Sequence, residues 1–191
     1  MAINPESDLY TLNKNLESER IARDVKSIRL SEDKKTIYYI KSDSLWQMTL
    51  GKEAERIARE IVTYNISKDG KTAYFINEDD ELRYVRGGGD SVKIADDVDS
   101  FQIALDGTLY FLSDVNRRAG SGTFSTCKSE KDVKKIADDV ADYSVGSDSQ
   151  WYSVRLGNDE YDIYVAKMGK GFTQAIKEID ISSEKEREGS D

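Results

Sequence analysis

Residues 64–84, Tyr-Asn-Ile-Ser-Lys-Asp-Gly-Lys-Thr-Ala-Tyr-Phe-Ile-Asn-Glu-Asp-Asp-Glu-Leu-Arg-Tyr, decide the fold. Two short apolar segments, residues 64–66 and 73–76, flank a tight turn at Asp69-Gly70. An acidic turn at residues 78–81 then leads into a third apolar segment. Short apolar runs bounded by Asp, Gly, Ser and Asn are typical of β-strands. The stretch therefore predicts three strands joined by turns.

The same pattern recurs along the chain, and Ile-Ala pairs mark it at Ile21, Ile57, Ile94 and Ile136. Each pair is followed by a short strand, a polar turn and an apolar strand. Four antiparallel strands per repeat make one blade of a β-propeller, and blades stabilise one another by stacking. The apolar strands lack alternation, as expected when both faces are buried. We therefore predict an all-β fold, a β-propeller; a flat or open multi-stranded sheet is the alternative. The tyrosines that recur in these strands are predicted to be core: Tyr38, Tyr74, Tyr110 and Tyr152.

Charged segments between the apolar strands also need an interpretation. Residues 16–23 and 51–60 are rich in Glu, Lys and Arg and could be read as helices. Their counterpart at residues 87–97 begins with three glycines, which destabilise a helix. We therefore predict a hairpin turn followed by a strand in all three segments.

Residues 66–75, Ile-Ser-Lys-Asp-Gly-Lys-Thr-Ala-Tyr-Phe, resemble the WD40-like repeat of TolB-type β-propellers. That repeat reads Ser-x-Asp-Gly-x-x-Ile-x-Phe/Tyr, with a downstream Asp-Ile/Leu-Tyr that is similar to Asp162-Ile163-Tyr164 here. The resemblance covers most of the chain and implies a propeller whose function varies between proteins. Because bacterial surface proteins carry similar domains, it also implies an extracytoplasmic location for a chain that belongs to a longer anchored protein. A cytoplasmic location is expected if Met1 is the true start.

The repeat divides the chain into units at residues 7–42, 43–78, 79–114, 115–157 and 158–182, followed by a solvated charged tail at 183–191. The last unit lacks a fourth strand. Ile3 precedes Leu9 by the same six residues by which Ile76 precedes Leu82. Residues 2–4 are therefore expected to complete the last blade of a five-bladed propeller, a single domain over residues 1–182. A fragment of a longer repeat array is the alternative.

Composition excludes several classes of function. The chain has 191 residues, a net charge of −9, one cysteine and no histidine. The absence of histidine excludes Ser-His-Asp and Cys-His catalysis, and the lone Cys127 excludes a disulfide framework. The negative charge argues against nucleic acid as a partner, and no apolar run is long enough for direct membrane insertion.

The candidate binding site is the place where the repeat is broken. The connection between Leu112 and Phe124 is about five residues longer than its counterparts. It carries the only Arg-Arg pair, Arg117-Arg118, preceded by Asn116. Arginine side chains bind carboxylates and phosphates through paired hydrogen bonds. The alternative is a mobile solvated loop.

No cofactor is expected. The Asp-Gly turns lack the alternating oxygen ligands of a calcium loop, because Lys68 and Lys71 flank Asp69-Gly70. The acidic groups at residues 78–81, 96–99 and 138–142 leave calcium as an alternative. Their recurrence at equivalent positions favours turns in which Asp binds backbone amides.

The sequence thus predicts a monomeric, non-catalytic propeller at a bacterial surface or in the periplasm. We expect it to bind or scaffold a partner, and a protein is the first expectation. A small ligand is the other expected occupant of its site. Two other functions stay open. A hydrolase or lyase would use acidic residues that converge on the central channel, and a structural spacer would be one piece of a longer array.

Overall fold

The structure, a computed structural model, describes residues 2–3, 7–12, 15, 17–157 and 159–181. These residues form eighteen β-strands and no helix, which confirms the predicted all-β class. Within them, no helix has the length and apolarity that a membrane span needs. The chain divides into two compact units, residues 1–95 and 96–191, and each is described by itself. The predicted tail at 183–191 lies outside the described residues.

Unit 1 contains three antiparallel sheets with the strand orders β1-β2-β3, β4-β5-β6-β7 and β11-β10-β9-β8. The strands are β1 Ala2–Ile3, β2 Leu9–Leu12, β3 Ser18–Ala22, β4 Val25–Leu30, β5 Thr36–Lys41, β6 Ser44–Thr49, β7 Glu55–Arg59, β8 Ile61–Ile66, β9 Thr72–Asn77, β10 Leu82–Arg86 and β11 Val92–Ala95. The charged segments at residues 51–60 and 87–97 thus form turns followed by β7 and β11, as predicted, and the described part of the segment at residues 16–23 contains the strand β3.

Unit 2 is one antiparallel sheet in sequence order. Its strands are β12 Val98–Ile103, β13 Leu109–Asn116, β14 Ser121–Cys127, β15 Lys134–Val145, β16 Ser149–Gly157, β17 Glu160–Lys167 and β18 Thr173–Asp180. The long strand β15 pairs with β14 through its first part and with β16 through its second, and Val140 takes part in both ladders. One strand therefore ends one four-stranded group and begins the next.

The sheets are offset by two strands from the sequence repeats. The sheet β4-β5-β6-β7 spans residues 25–59, whereas the repeats are divided between residues 42 and 43. Each four-stranded sheet thus takes two strands from one repeat and two from the next. A periodic sequence fixes the length of the period, but only the hydrogen bonds between strands decide where a sheet begins.

Central strands are buried on both faces, which explains why they lack alternation. In β5, Ile37 and Tyr39 belong to one apolar cluster with Leu9 of the first sheet. Tyr38 and Ile40 point the opposite way, into a second cluster with residues of the third sheet such as Tyr64. Because alternate side chains of a strand point to opposite faces, one sheet holds its two neighbours in unit 1 together.

The core of unit 2 is centred on Phe124, which is fully buried. The centre of its ring lies 4.8 Å from that of Tyr143 and 5.4 Å from that of Tyr152.

The four recurring tyrosines are buried, as predicted. The strand register corrects the alignment of the last of them. Tyr110 pairs with Gln102, which lies five residues after the positive-φ Asp97. In the next repeat the residue five after the positive-φ Asp139 is Ser144, and it pairs with Trp151. Trp151 thus takes the position of Tyr110, yet 37% of its surface is exposed.

Several acidic residues shape the backbone at turns and strand junctions. Four acidic residues with positive φ recur where an outer strand leads into the next inner strand: Asp24, Glu60, Asp97 and Asp139. Glu178 has a positive φ within β18. Asp is one of the few residues with a side chain that visits this conformation routinely. The backbone of Asp97 also accepts a hydrogen bond from the N–H of Asp114, at 2.9 Å. The recurring Asp-Val signal thus reports a strand junction.

The Asp-Gly turns are closed by side chains. In the turn of the third sheet, the Ser67 hydroxyl donates to Asp69 Oδ1 at 2.6 Å, and the N–H of Lys71 donates to the same oxygen at 3.1 Å. Gly70 has a φ of +65°, and a Cβ placed on it would lie 2.2 Å from the Cβ of Ser31. The Tyr38 hydroxyl donates to the Gly70 carbonyl at 2.9 Å. This turn therefore contacts the neighbouring sheet of unit 1 through its backbone.

We expect Gly70→Ala to destabilise the protein more than Gly51→Ala does. Both glycines have positive φ, but a Cβ on Gly51 meets nothing within 4 Å. The Gly51 variant should cost about 1 kcal/mol of unfolding free energy from backbone strain alone. The Gly70 variant should cost about 2 kcal/mol more because it overpacks against Ser31. Urea denaturation measures both, and equal losses would show that the contact between the sheets is unimportant.

Candidate functional site

The long connection in unit 2 is mostly strand. Strand β13 continues to Asn116 and β14 begins at Ser121, so the turn itself is only residues 117–120. Asn116 pairs with Ser121, and a bulge separates this pair from Ser113 and Thr123. The extra residues therefore lengthen a hairpin, because continued hydrogen bonding between its strands satisfies the added backbone groups.

Asn116 forms the turn that presents the two arginines. Its Oδ1 accepts hydrogen bonds from the N–H groups of Arg118, at 3.0 Å, and Ala119, at 3.1 Å. Its carbonyl accepts from the N–H of Gly120 at 2.7 Å, and Gly120 has a φ of +67°. The side-chain oxygen of Asn116 is thus used within the turn, and only its NH2 group is left to contact a ligand.

Arg117 and Arg118 are both exposed. Neither guanidinium group makes a hydrogen bond or an ion pair with any residue that the structure describes. We call residues 117–120 the arginine turn. It presents two arginine side chains on a short, hydrogen-bonded turn of an ordered hairpin.

Arg155 is a third arginine at this turn, and the sequence does not indicate it. It lies in β16, and its guanidinium donates a hydrogen bond to the Ala119 carbonyl. Atom Nη1 of Arg155 also lies 3.4 Å from where a Cβ on Gly120 would be. Polar residues follow the apolar strand in every repeat, so nothing in the position of Arg155 marks it. Only the pairing of strands in the folded sheet places the Arg155 side chain against the backbone of the arginine turn.

Gly122 allows the hairpin to bulge next to the core. A Cβ on this residue would lie 2.5 Å from the Ser113 carbonyl oxygen and 2.9 Å from Cγ2 of Val115. Val115 packs against the apolar cluster around Phe124. The arginine turn is therefore anchored to the core of unit 2 through the close approach of its two strands.

The exposed guanidinium groups of the arginine turn can bind an anion. The carboxyl groups of the described residues that have a shifted pKa lie outside this turn. Every described carboxyl group with a shifted pKa has that pKa lowered, and a hydrogen bond to the carboxylate is the largest cause. These groups are Asp33, Asp69, Glu81, Asp106 and Asp138. A general acid needs a raised pKa instead. The thiol of Cys127 is buried, and burial raises its pKa to about 11, so it is a poor nucleophile.

The predicted acidic groups do not gather into a metal site in the described part of the chain. Among those residues, no three His, Cys, Asp or Glu side chains are close enough together to hold a metal ion. Glu81 binds Arg83 at 2.8 Å and Lys93 at 3.3 Å. Asp138 binds Lys135 at 2.8 Å. Cations of the protein itself thus neutralise two of the acidic residues.

Comparison with known proteins supports the propeller fold. No protein-family model matches the chain, and no curated protein is significantly similar to it in sequence. Among solved structures, it is similar to the β-propeller domain of the Trilobed protease from Pyrococcus furiosus, which has an open velcro topology. The TM-score is 0.57 at 15% identity, covering 81% of this chain and 57% of that one.

Two further solved structures are also similar to the chain. The acylaminoacyl peptidase of Pyrococcus horikoshii gives a TM-score of 0.55 at 15% identity, covering 81% of this chain and 32% of that one. The N-terminal domain of Nup159 gives 0.51 at 13% identity, covering 83% and 49%. The chain thus spans little more than half, or less, of each of these three structures. At these identities the likeness shows the fold alone, and it does not single out the TolB type.

We expect Asn116→Ala to loosen the arginine turn without unfolding unit 2. The variant loses both hydrogen bonds to Oδ1, at a cost of about 1 kcal/mol or less for exposed bonds. Amide hydrogen exchange should become faster at Arg118 and Ala119, while the amides around Phe124 stay protected. Asn116→Asp keeps the acceptor and serves as the control. Unchanged exchange at both amides in the alanine variant would contradict the role assigned to Asn116.

Proposed function

We propose that this protein is a non-catalytic propeller module that binds an acidic segment of a partner protein at the arginine turn. The observation that supports this is the pair of exposed guanidinium groups, Arg117 and Arg118, which have no partner among the described residues and sit on an ordered turn. In a protein with a net charge of −9, such a turn is a local positive feature. It attracts anionic groups that the remaining surface repels.

The geometry favours carboxylates or phosphates held by hydrogen bonds. A guanidinium is a planar fork that can bind both oxygens of such a group, and it stays protonated at any ordinary pH. Order in the turn lowers the entropy cost of binding, because Asn116 and Arg155 already fix its backbone. An acidic protein segment can supply two carboxylates to the neighbouring arginines.

A propeller-fold hydrolase or lyase is not favoured by any observation in the described residues. Its acid would need a raised pKa, and the resolved shifts of carboxyl groups run in the opposite direction. The similar structures include a domain of a protease and a peptidase, and those activities belong to those proteins. Binding is therefore the function that we propose.

The test uses a hexaglutamate peptide and inorganic phosphate as probes, with binding followed by NMR titration. Arg117→Ala/Arg118→Ala should weaken peptide binding about tenfold, equal to about 1.4 kcal/mol. Arg117→Lys/Arg118→Lys keeps the charge but loses the fork, so it should give an intermediate loss. Raising the salt concentration should weaken binding to the native turn.

The matched control is Arg23→Ala/Arg59→Ala, which removes two exposed arginines from unit 1 and changes the net charge equally. It should leave peptide binding within a factor of two. An equal loss of peptide binding in this control would show that the peptide responds to the net charge of the protein and does not bind at the arginine turn. Phosphate binding without peptide binding would identify a small-anion site and overturn the assignment of a protein partner.

We also propose that the chain forms five blades. Ile3 pairs with Leu9 as Ile76 pairs with Leu82, so β1 corresponds to β9, a central strand of its own sheet. However, β1 has one neighbouring strand in the sheet, whereas β5 and β9 each have two. Glu178 has a positive φ within β18, as Asp139 has within β15, and this likeness supports a further inner strand from residue 179 onward. We propose that the ends of the chain complete one blade; an open arrangement, as in the trilobed protease propeller, is the alternative.

Truncations test the five-bladed arrangement. Deleting residues 1–5 or residues 179–191 should each lower the melting temperature by about 10 °C, because each would remove one strand of the shared blade. Deleting residues 186–191 removes only charged tail and is the control. If the deletion of residues 179–191 behaves like this control, the arrangement is open.

Several further assignments stay predictions. TolB-type membership and an extracytoplasmic location rest on the motif at residues 66–75. A monomeric state, the absence of a cofactor and the absence of nucleic-acid binding rest on composition and charge. The NMR titration bears on the monomeric state, because line widths report the size of the free protein.

A further inference from the structure

A groove of about 1040 Å³ lies between two hairpins of unit 1. One wall is the strand β3 with the residue before it, and the other is the turn between β6 and β7. Its floor includes Met48, Ile21 and Ala54, which also pack against the apolar cluster around Leu9. The groove thus opens directly onto the core between the first two sheets.

The groove follows an unpaired edge. Strand β3 ends its sheet, so one side of its backbone has no neighbouring strand among the described residues. Residues 17–21 line the groove consecutively. Because alternate side chains point to opposite faces of a sheet, five consecutive lining residues place the groove along the edge of the strand. An open edge is a template for an added strand.

The walls combine an apolar anchor point with excess negative charge. Leu50, on the far wall, is 58% exposed. Glu19 and Glu53 line the groove and form no hydrogen bond or ion pair with a described residue. Two cations also line the groove, and one of them, Arg20, binds Asp8 at 3.4 Å. The other, Lys52, faces three acidic residues of the lining, Glu17, Glu19 and Glu53, so the negative charge is in excess. This surface therefore fits a segment that packs an aliphatic side chain on Leu50 and places cationic side chains beside Glu19 and Glu53.

We propose that the groove binds an extended, basic segment of a partner protein, which adds a strand to the free edge of β3. The backbone edge supplies hydrogen bonds, Glu19 and Glu53 select positive charge, and Leu50 with Met48 receives an aliphatic side chain. The inference does not depend on the arginine turn, which belongs to unit 2 and selects the opposite charge. The two surfaces together would hold partner segments of different composition.

The test uses the fluorescein-labelled peptide acetyl-Lys-Val-Lys-Leu-Lys-Val-amide as the probe, with fluorescence anisotropy as the readout. The native protein should bind this peptide, and Glu19→Lys/Glu53→Lys should weaken binding at least about tenfold. Glu78→Lys/Asp79→Lys changes the net charge equally at exposed positions of the same unit, and should leave binding within a factor of two. An N-methylated peptide that keeps every charge should also bind at least about tenfold more weakly, because it loses backbone donors.

Three outcomes would overturn the proposal. Equal binding of the charge-reversed peptide, with Glu in place of Lys, would show that the groove does not select positive charge. Full binding of the N-methylated peptide would remove the added strand. A dimer in sedimentation velocity that Glu19→Lys/Glu53→Lys dissociates would make a second copy of the chain the occupant. Circular dichroism of every variant checks that unit 1 is folded.

Discussion

The structure depends on one constraint: each sheet has two apolar faces, and a single sheet can cover neither. In β5 this constraint is visible in adjacent residues, because Tyr39 enters one cluster and Tyr38 the other. A sheet of this kind is stable only between neighbours, so the stacking of sheets in unit 1 is required for folding. Unit 2 meets the same constraint around Phe124, whose ring contacts aromatic side chains of later strands. The turns follow from this stacking, since Gly70 must admit Ser31 of the neighbouring sheet.

The same stacking explains how the acidic residues are used. A four-stranded blade needs a sharp reversal at every strand end, and the backbone there needs hydrogen-bond acceptors or a positive φ. Asp69 accepts within a turn, and Asp97 adopts the left-handed conformation at a junction. The carboxylate of Asp69 is occupied by hydrogen bonds within its turn, whereas the conformation of Asp97 involves its main chain. Function is therefore more readily found where the repeat is interrupted.

Two surfaces depart from the repeat in opposite ways. The arginine turn adds positive charge to a hairpin whose strands are longer than their counterparts in unit 1, and Gly122 anchors it to the core. The groove beside β3 has an exposed Leu50 and, among the described residues, a strand edge without a neighbour and two glutamates without partners. Both combine strands held in a sheet with charged groups that have no partner in the part of the chain that the structure describes. These are features of recognition surfaces, in which little order has to be gained on binding.

The sequence by itself determined the strands, the turns, the buried tyrosines and the irregular connection that carries Arg117 and Arg118. These features depend on residues near one another in the chain, so local pattern is enough to reveal them. Only the tertiary structure decided where each sheet begins, that Trp151 takes the place of a tyrosine, and that Arg155 lies under the arginine turn. Each of these depends on the register of hydrogen bonds between strands. Register is set by the whole packed sheet, because a shift of one residue would move every side chain to the other face.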